Sequence, residues 1–383
     1  MNTGIYVVSN RFAKIGVFGA DSIRLALKNG VLEPTWEAGR LGVTKQTKPL
    51  RRVSDWMKTK RPTKPDAEAI LGGYFPVLDH GFISLVDYMG SDEDIERAAR
   101  VSYGHGTRRR SATRGLVRYL RRHRHTTPTE MVELKFHCCM PLFVARQWIR
   151  HRTASVNEMS GRYSLLPLLF YTPSEKEFGL QSKQNNQGRA SETAGSSSWN
   201  RAVEAWNRSR SQASDHYRAM LEADVAREIA RIDLPLSTYT QWYWKIDLHN
   251  LLHFLTLRVD PHAQWEIRAY AEVMAGIVQR VAPLSYEAWV DYDLCGERMS
   301  HMEMEVLRSI VNPTASFGLK HGSTGQMSQE DLLGQGLSKR EVRELVDKLS
   351  ARDRPDFTLD LDHMRPAAEI EEEMARAVPQ IDP

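Results

Sequence analysis

Apolar positions follow little periodic pattern through residues 1–74, where Pro49, Pro62 and Pro65 stand among basic residues; this reads as an extension with little core of its own. From Pro76 the texture changes. Residues 77–89 are apolar-rich, residues 92–101 have helical spacing, and residues 116–124 predict a second helix with Leu116, Tyr119 and Leu120 on one side. Val132, Leu134, Phe136 and Cys138 alternate with Glu133, Lys135 and His137, the period of a half-buried strand. Pro141 then opens a helix predicted over residues 142–152, because a first-turn N–H has no partner to lose. Residues 181–198 are rich in Gln, Asn, Gly and Ser and predict a mobile loop. Helical spacing returns over 200–232, 248–259 and 264–281, broken around Pro235. Ser338 with Glu341 forms a capping box, Leu337 and Val342 suit a hydrophobic staple, and Val342, Leu345, Val346 and Leu349 make one apolar stripe. Past Arg352 the chain is acidic and Pro-bearing, which predicts loose order. The textures divide the chain into a basic extension at 1–74, a central folded region at 75–300, and a helical extension with a tail at 301–383.

Composition adds a core to this outline: 41% of the 383 residues are hydrophobic and 9% aromatic. The formal charge is only +4, but it is unevenly placed. Residues 40–64 hold nine Lys or Arg against the single acid Asp55, and residues 108–124 hold eight Arg and no acid. Such patches suit phosphates, and they suit solvated surface as well. Cys138, Cys139 and Cys295 make no disulfide framework, since adjacent cysteines pair poorly. No apolar run reaches the roughly 20 residues that span a bilayer, and residues 1–11 lack the order of a signal peptide. The expectation is a protein of the reducing cytoplasm without a membrane partner.

The densest chemistry runs from Arg146 to Ser164. Arg146 and Arg150 are four apart and are expected on one helix face, where two guanidinium groups repel unless an anion lies near them. Ser155, Asn157, Ser160 and Gly161 follow as a polar, turn-forming segment whose hydroxyls and N–H groups suit a phosphate. The same residues also suit a solvated basic helix end followed by an ordinary loop. His249 and His253 have the spacing of a zinc pair, but Asn250 stands where the H-E-x-x-H motif needs Glu and no third ligand is evident, so no metal is expected. Gly104-His105-Gly106 lacks the third glycine of a dinucleotide fingerprint. Cys138 and Cys139 lie on the alternating strand and read as small core residues.

The string RHRTASVNEMS at 150–160 resembles the signature of the flavin-dependent thymidylate synthases: Arg-His-Arg, seven residues, then Ser. The resemblance extends over about 76–282 and includes VLDHGF, RAARVSYG, HRHTTPTE, FVARQWIRHR, REIARIDLPL and LRVDPHAQWEIR. It implies a mixed α/β (α+β) subunit with a central sheet and long helices, a catalytic domain at 75–300, and a homotetramer with active sites shared between chains. It also implies FAD contacts from Ser102, Thr127, Arg150, His151, Arg152, Glu158, Asp247, His249 and His253. The nucleotide would be held by Gln147, Arg150, Glu158, Ser160, Gly161 and Arg162, with Arg231 at its phosphate. Arg258 matches the arginine set against the uracil ring, where a permanent cation stabilises negative charge on the pyrimidine. His125 matches a histidine near the flavin ring, although a histidine before turn residues is also a common helix ending.

The reaction so implied is reductive methylation of dUMP to dTMP, with methylenetetrahydrofolate as carbon donor and NADPH reducing FAD. The Arg-Pro-Cys setting of the cysteine-dependent thymidylate synthases is absent from the chain. Two rivals remain at this point. A flavin-dependent pyrimidine nucleotide C5 hydroxymethylase would use the same site and yield a product one oxygen heavier. A non-catalytic nucleic-acid-binding protein would use the two basic patches and show salt-dependent binding indifferent to Arg258 and Ser160.

Overall fold

The computed structural model describes residues 24–28, 31–35, 62–102, 113–183, 188–310 and 355–380, with positions 333, 334 and 342. Two compact units result, Met1–Pro62 and Thr63–Pro383. In the first, β1 (Arg24–Lys28) pairs antiparallel with β2 (Val31–Thr35).

The second unit is built on a five-stranded, wholly antiparallel sheet. Its order is β3 (Tyr74–Val77), β4 (Gly81–Met89), β5 (Glu133–Pro141), β9 (Tyr239–Asp247) and β6 (Ser155–Glu158). With helices packed on the sheet, the fold is mixed α+β. The alternation predicted around residues 132–138 holds: Leu134, Phe136 and Cys138 are buried on one face, Lys135 and His137 lie on the other. β9 repeats the pattern with Trp242, Trp244 and Ile246 inward. It falls in the stretch around Pro235 that interrupts the helical spacing of the sequence.

The inner face is covered by α7 (Leu248–Arg258) and α8 (Trp265–Val281), close to their predicted bounds. α8 buries Tyr270, Ala271, Met274, Ala275, Ile277, Val278 and Val281 completely. α1 (Pro65–Glu68), α2 (Asp92–Val101) and α3 (Thr113–Arg122) flank this core. α3 turns Val117 and Leu120 inward while Tyr119 stays exposed, so the predicted apolar side is rotated by part of a turn. Its cationic face meets α9 (Pro283–Trp289) and the π-helical segment Val290–Leu294. There Arg118 pairs with Glu287 at 3.0 Å and with Asp291, Arg121 pairs with Asp293 at 2.5 Å, and Arg114 pairs with Glu287.

Four expectations change. The helix after Pro141, α4, spans Leu142–Trp148 and not 142–152. The Gln/Asn/Gly/Ser stretch is in large part a β-hairpin of β7 (Gly179–Gln181) and β8 (Arg189–Thr193), with positions 184–187 outside the described residues, and its end already belongs to α5 (Ser196–Glu222). The helix predicted to 232 stops at Glu222, where Asp224 takes a φ of 57° and the short α6 (Arg227–Ala230) follows. The tail is ordered over 355–380: Tyr74 and Arg365 exchange backbone bonds of 3.0 and 2.8 Å, Leu359 and Ile370 are buried, and α11 (Ala367–Ala377) accepts from Leu168 N through Ala377 O at 2.9 Å. Apolar side chains spaced among the acids account for this. α10 (His301–Ile310) precedes the tail. Of the predicted helix at 338–349 only Val342 is described, helical and buried; Ser338, Glu341, Leu345, Val346 and Leu349 lie outside the described residues.

Candidate functional site

Trp148 decides where α4 ends. Its ring is fully buried against Trp242, Trp244, Phe254 and Tyr270, with centroids 5.2–5.8 Å apart. Burying an aromatic of this size stabilises by about 1.5–3 kcal/mol, so the last turn is pinned and the chain leaves it at once. His151 N bonds back to Trp148 O at 3.0 Å, leaving Arg150 and Arg152 exposed on a turn rather than on the face of Arg146.

His151 is thereby carried to the end of α7. Arg258 donates from Nε to His151 Nε2 at 3.0 Å, and the imidazole lies edge-on to Phe254 and His253. A guanidinium cannot accept, so Nε2 must hold a lone pair and the ring is neutral with its proton on Nδ1. Burial, then the charges of Arg258 and His253, push the His151 pKa down to about 4. Burial also lowers that of Arg258, which stays cationic at any working pH. Its terminal nitrogens have no hydrogen-bond acceptor among the described residues.

The polar run after Arg152 is a strand, not a turn, over Ser155–Glu158, held as the sheet edge through Ser155↔Lys245 to Glu158↔Trp242. The turn comes at Ser160, whose carbonyl accepts from Tyr163 N and Ser164 N at 3.1 and 3.0 Å and whose Oγ accepts from Arg162 N at 3.2 Å. Glu158, Gly161 and Arg231 share a cavity of about 330 Å³ with Leu234, Leu236, Thr238, Tyr239 and Thr240. Gly161 packs closely there: a Cβ would lie 3.0 Å from Leu166 and 3.1 Å from Arg231 Cδ, so either side chain would have to shift by a few tenths of an ångström to admit one. Thr240 Oγ1 donates to Glu158 at 2.8 Å and fixes that carboxylate; nothing in the local sequence marked Thr240. Arg162 pairs with Glu228 at 2.8 Å with both groups about half exposed, a contact worth at most about 1 kcal/mol and readily exchanged for a phosphate.

Asp247 caps α7: Oδ1 accepts from Asn250 N at 2.9 Å and Oδ2 from its side-chain amide at 2.7 Å. His249, two residues on, has a lowered pKa through burial and then the Arg121 charge, and its buried Nδ1 has no partner among the described residues. His253 is exposed one turn later. Ser102 ends α2 and Thr127 is exposed in the turn after α3; among the described residues no hydrogen bond joins either side chain to the His151–Arg258 pair. His125 stacks on Tyr119 with centroids 5.9 Å apart.

Gln147 donates its amide to Gln264, whose own amide donates to Glu266 at 2.8 Å. Gln264 and Glu266 lie inside the quoted string LRVDPHAQWEIR but carried no signal of their own. Arg146, Arg150, Arg152 and Arg231 have no acidic partner among the described residues, in contrast with the paired arginines of α3. Arg231, which lines the cavity without an acidic partner among the described residues, is arranged to receive an anion. Both buried cysteines are poor nucleophiles, since burial raises the pKa of Cys138 and of Cys139.

Comparison with known proteins bears on which anion. Residues 84–284 match the family model described as thymidylate synthase complementing protein. The flavin-dependent thymidylate synthase of Gluconobacter oxydans is 49% identical over 291 residues, covering 75% of this chain and 91% of the relative. That of Wolbachia pipientis is 51% identical over 253 residues, covering 66% and 89%. Among solved structures, the UMP/dUMP methylase PolB from Streptomyces cacaoi, bound with 5-Br UMP, is 33% identical with a TM-score of 0.52, covering 57% of this chain and 97% of that one. The same methylase has been solved with 5-Br dUMP.

Proposed function

Because the chain belongs to the flavin-dependent thymidylate synthase family, we propose that it converts dUMP to dTMP, drawing one carbon from methylenetetrahydrofolate and reducing equivalents from NADPH through FAD. The observation that carries this reading is the state of Arg258: half-buried, oriented through Nε by a neutral His151, and with its terminal nitrogens free of acceptors among the described residues. Such a guanidinium, set against a uracil ring, stabilises negative charge on the carbonyl oxygens and makes C5 more nucleophilic. It yields no proton in doing so. Arg231 would take the phosphate from within the cavity, and Gln147, Arg150, Glu158, Ser160, Gly161 and Arg162 would fix the sugar and base.

The donor set suits a flavin on this chain's own chemistry. Among the described residues Arg150 and Arg152 have no acidic partner and suit its diphosphate, and His249 Nδ1 has no partner and suits a polar ring atom. Ser102, Thr127, His151, Glu158, Asp247 and His253 would complete the contacts. When bound, the flavin supplies the hydride that finishes the methyl group. The protein holds the partners in register and keeps charge in place. We further propose a cytoplasmic homotetramer with sites shared between chains, which suits the lack, among the described residues, of any hydrogen bond from Ser102 or Thr127 to the His151–Arg258 pair. No helix of the described residues is long and apolar enough to cross a membrane.

Growth of a thymidine-auxotrophic strain tests the proposal. Expression of the chain is expected to remove the thymidine requirement and Arg258→Ala to restore it; an auxotroph that still needs thymidine despite abundant flavin-loaded protein would sink the reading.

A further inference from the structure

Glu266 is among the few charged side chains buried in the core, 3% exposed, and no step described above uses it. Four contacts satisfy its two oxygens. Arg189 Nη2 donates to both, at 2.5 and 2.6 Å, Tyr171 OH donates to Oε1 at 3.1 Å, and Gln264 Nε2 donates to Oε2 at 2.8 Å. Arg189 comes from β8, and its other terminal nitrogen is held by Glu177 O. Every group that meets these two oxygens is a donor, so the carboxylate is held as an acceptor on all sides.

That restriction sets a direction. An acceptor-only oxygen forces Gln264 to turn its NH2 toward Glu266, which leaves Gln264 Oε1 on the other side. Gln147 therefore faces it with its own NH2, and the Gln147 carbonyl oxygen is left for whatever lies beyond. We propose that Glu266 and Gln264 are positioning residues for the nucleotide: the buried carboxylate orients the Gln147 amide through Gln264, so that an acceptor meets a donor on dUMP, a sugar hydroxyl or ring N–H. The proposal rests on the reading that Gln147 touches the nucleotide. Without the relay an amide of this kind rotates freely and offers the correct end only part of the time. The buried ion pair is thus given a purpose beyond folding, and the hairpin's Arg189 becomes a remote support of substrate binding.

Gln264 is exposed, so Gln264→Met removes both relay bonds at similar volume without touching the core. The experiment is a cycle of Gln147→Met, Gln264→Met and the double variant in the flavin-loaded enzyme, reading the dUMP dissociation constant, KM and kcat. Gln147→Met is expected to weaken dUMP about tenfold and Gln264→Met about three- to tenfold. The double variant should be no weaker than Gln147→Met alone, and Gln264→Met should raise KM more than it lowers kcat and leave the melting temperature little changed. Gln264→Asn, too short to span both partners, should not rescue, whereas Gln264→His, which can donate to Glu266 from one ring nitrogen and accept from Gln147 at the other, should do so in part. Additive losses in the double variant, or wild-type dUMP affinity in Gln264→Met, overturn the relay while leaving the nucleotide role of Gln147 standing. Wild-type affinity in Gln147→Met overturns that role and the relay with it.

Discussion

Arg258 and His151 make one unit, because a single hydrogen bond sets the orientation of the first and the protonation of the second. Removing the guanidinium in Arg258→Ala should cost on the order of 10²–10³ in kcat, as expected for a preorganised charge at the reacting group. In the same variant the His151 resonance, followed by NMR titration, should move its pKa up from about 4, since a nearby positive charge has gone. A titration unchanged by the substitution would uncouple the two residues. The depressed pKa also has a stability consequence. Between about 6.5 and 4 the unfolded chain binds a proton at this ring and the native chain does not, so stability falls as pH falls through that window and the loss is complete below it. Discounted for partial exposure, the loss is about 1–2 kcal/mol. Urea unfolding midpoints measured from pH 6.5 to 4 should show it, and His151→Gln should flatten the dependence. No thiol enters this chemistry, so Cys295→Ser and alkylation of the exposed Cys295 should leave activity intact. The His151–Arg258 contact joins residues 107 apart, beyond the reach of any local pattern; the family signature, not periodicity, brought both to notice.

At the level of elements, legibility followed burial. α7 and α8 each turn a periodic apolar face to the core, α2 buries Ile95, and residues 92–101, 248–259 and 264–281 predicted the three closely. β6 was missed because all four of its residues are exposed, so an edge strand fixed only by its neighbour β9 shows no alternation. The β7–β8 hairpin was missed for a related reason: Glu266, far along the chain, anchors it through Arg189. Two element-scale tests follow from contacts of this kind. Asp92 reaches from α2 to accept Leu284 N, Ser285 N and Ser285 Oγ at 2.8, 2.9 and 2.6 Å, so its buried carboxylate satisfies the start of α9. Asp92→Ala should destabilise by about 2–3 kcal/mol in urea unfolding, because three buried donors lose their acceptor. Gly276 lies in the middle of α8, where Ala would ordinarily stabilise by about 1 kcal/mol. Here a Cβ would come within 2.7 Å of Phe357 O and of Leu359 Cγ, so Gly276→Ala should instead destabilise by about 1–3 kcal/mol as the tail is pushed from the helix. A stabilised Gly276→Ala protein would show that the tail does not seat there.

For the whole molecule, the placement of charge separates binding site from scaffold. The basic run at 108–124 looked like a nucleic-acid footprint in sequence. In the fold Arg114, Arg118 and Arg121 are neutralised by Glu287, Asp291 and Asp293, whose positions some 170 residues away no inspection of the run discloses. Arg146, Arg150 and Arg152 of the signature region have no acidic partner among the described residues, and neither has Arg231, which lines a cavity of about 330 Å³. The tail that composition marked as loose completes the edge of the sheet at Tyr74. A flavoenzyme acting on a nucleotide accounts for this division of charge, and its central claim is the identity of the product. The most direct measurement is the mass of the nucleotide formed anaerobically by the purified, flavin-loaded protein from dUMP, methylenetetrahydrofolate and NADPH. The account predicts dTMP, with none formed when NADPH is withheld from oxidised protein; a product one oxygen heavier, or dUMP returned unchanged, would contradict it.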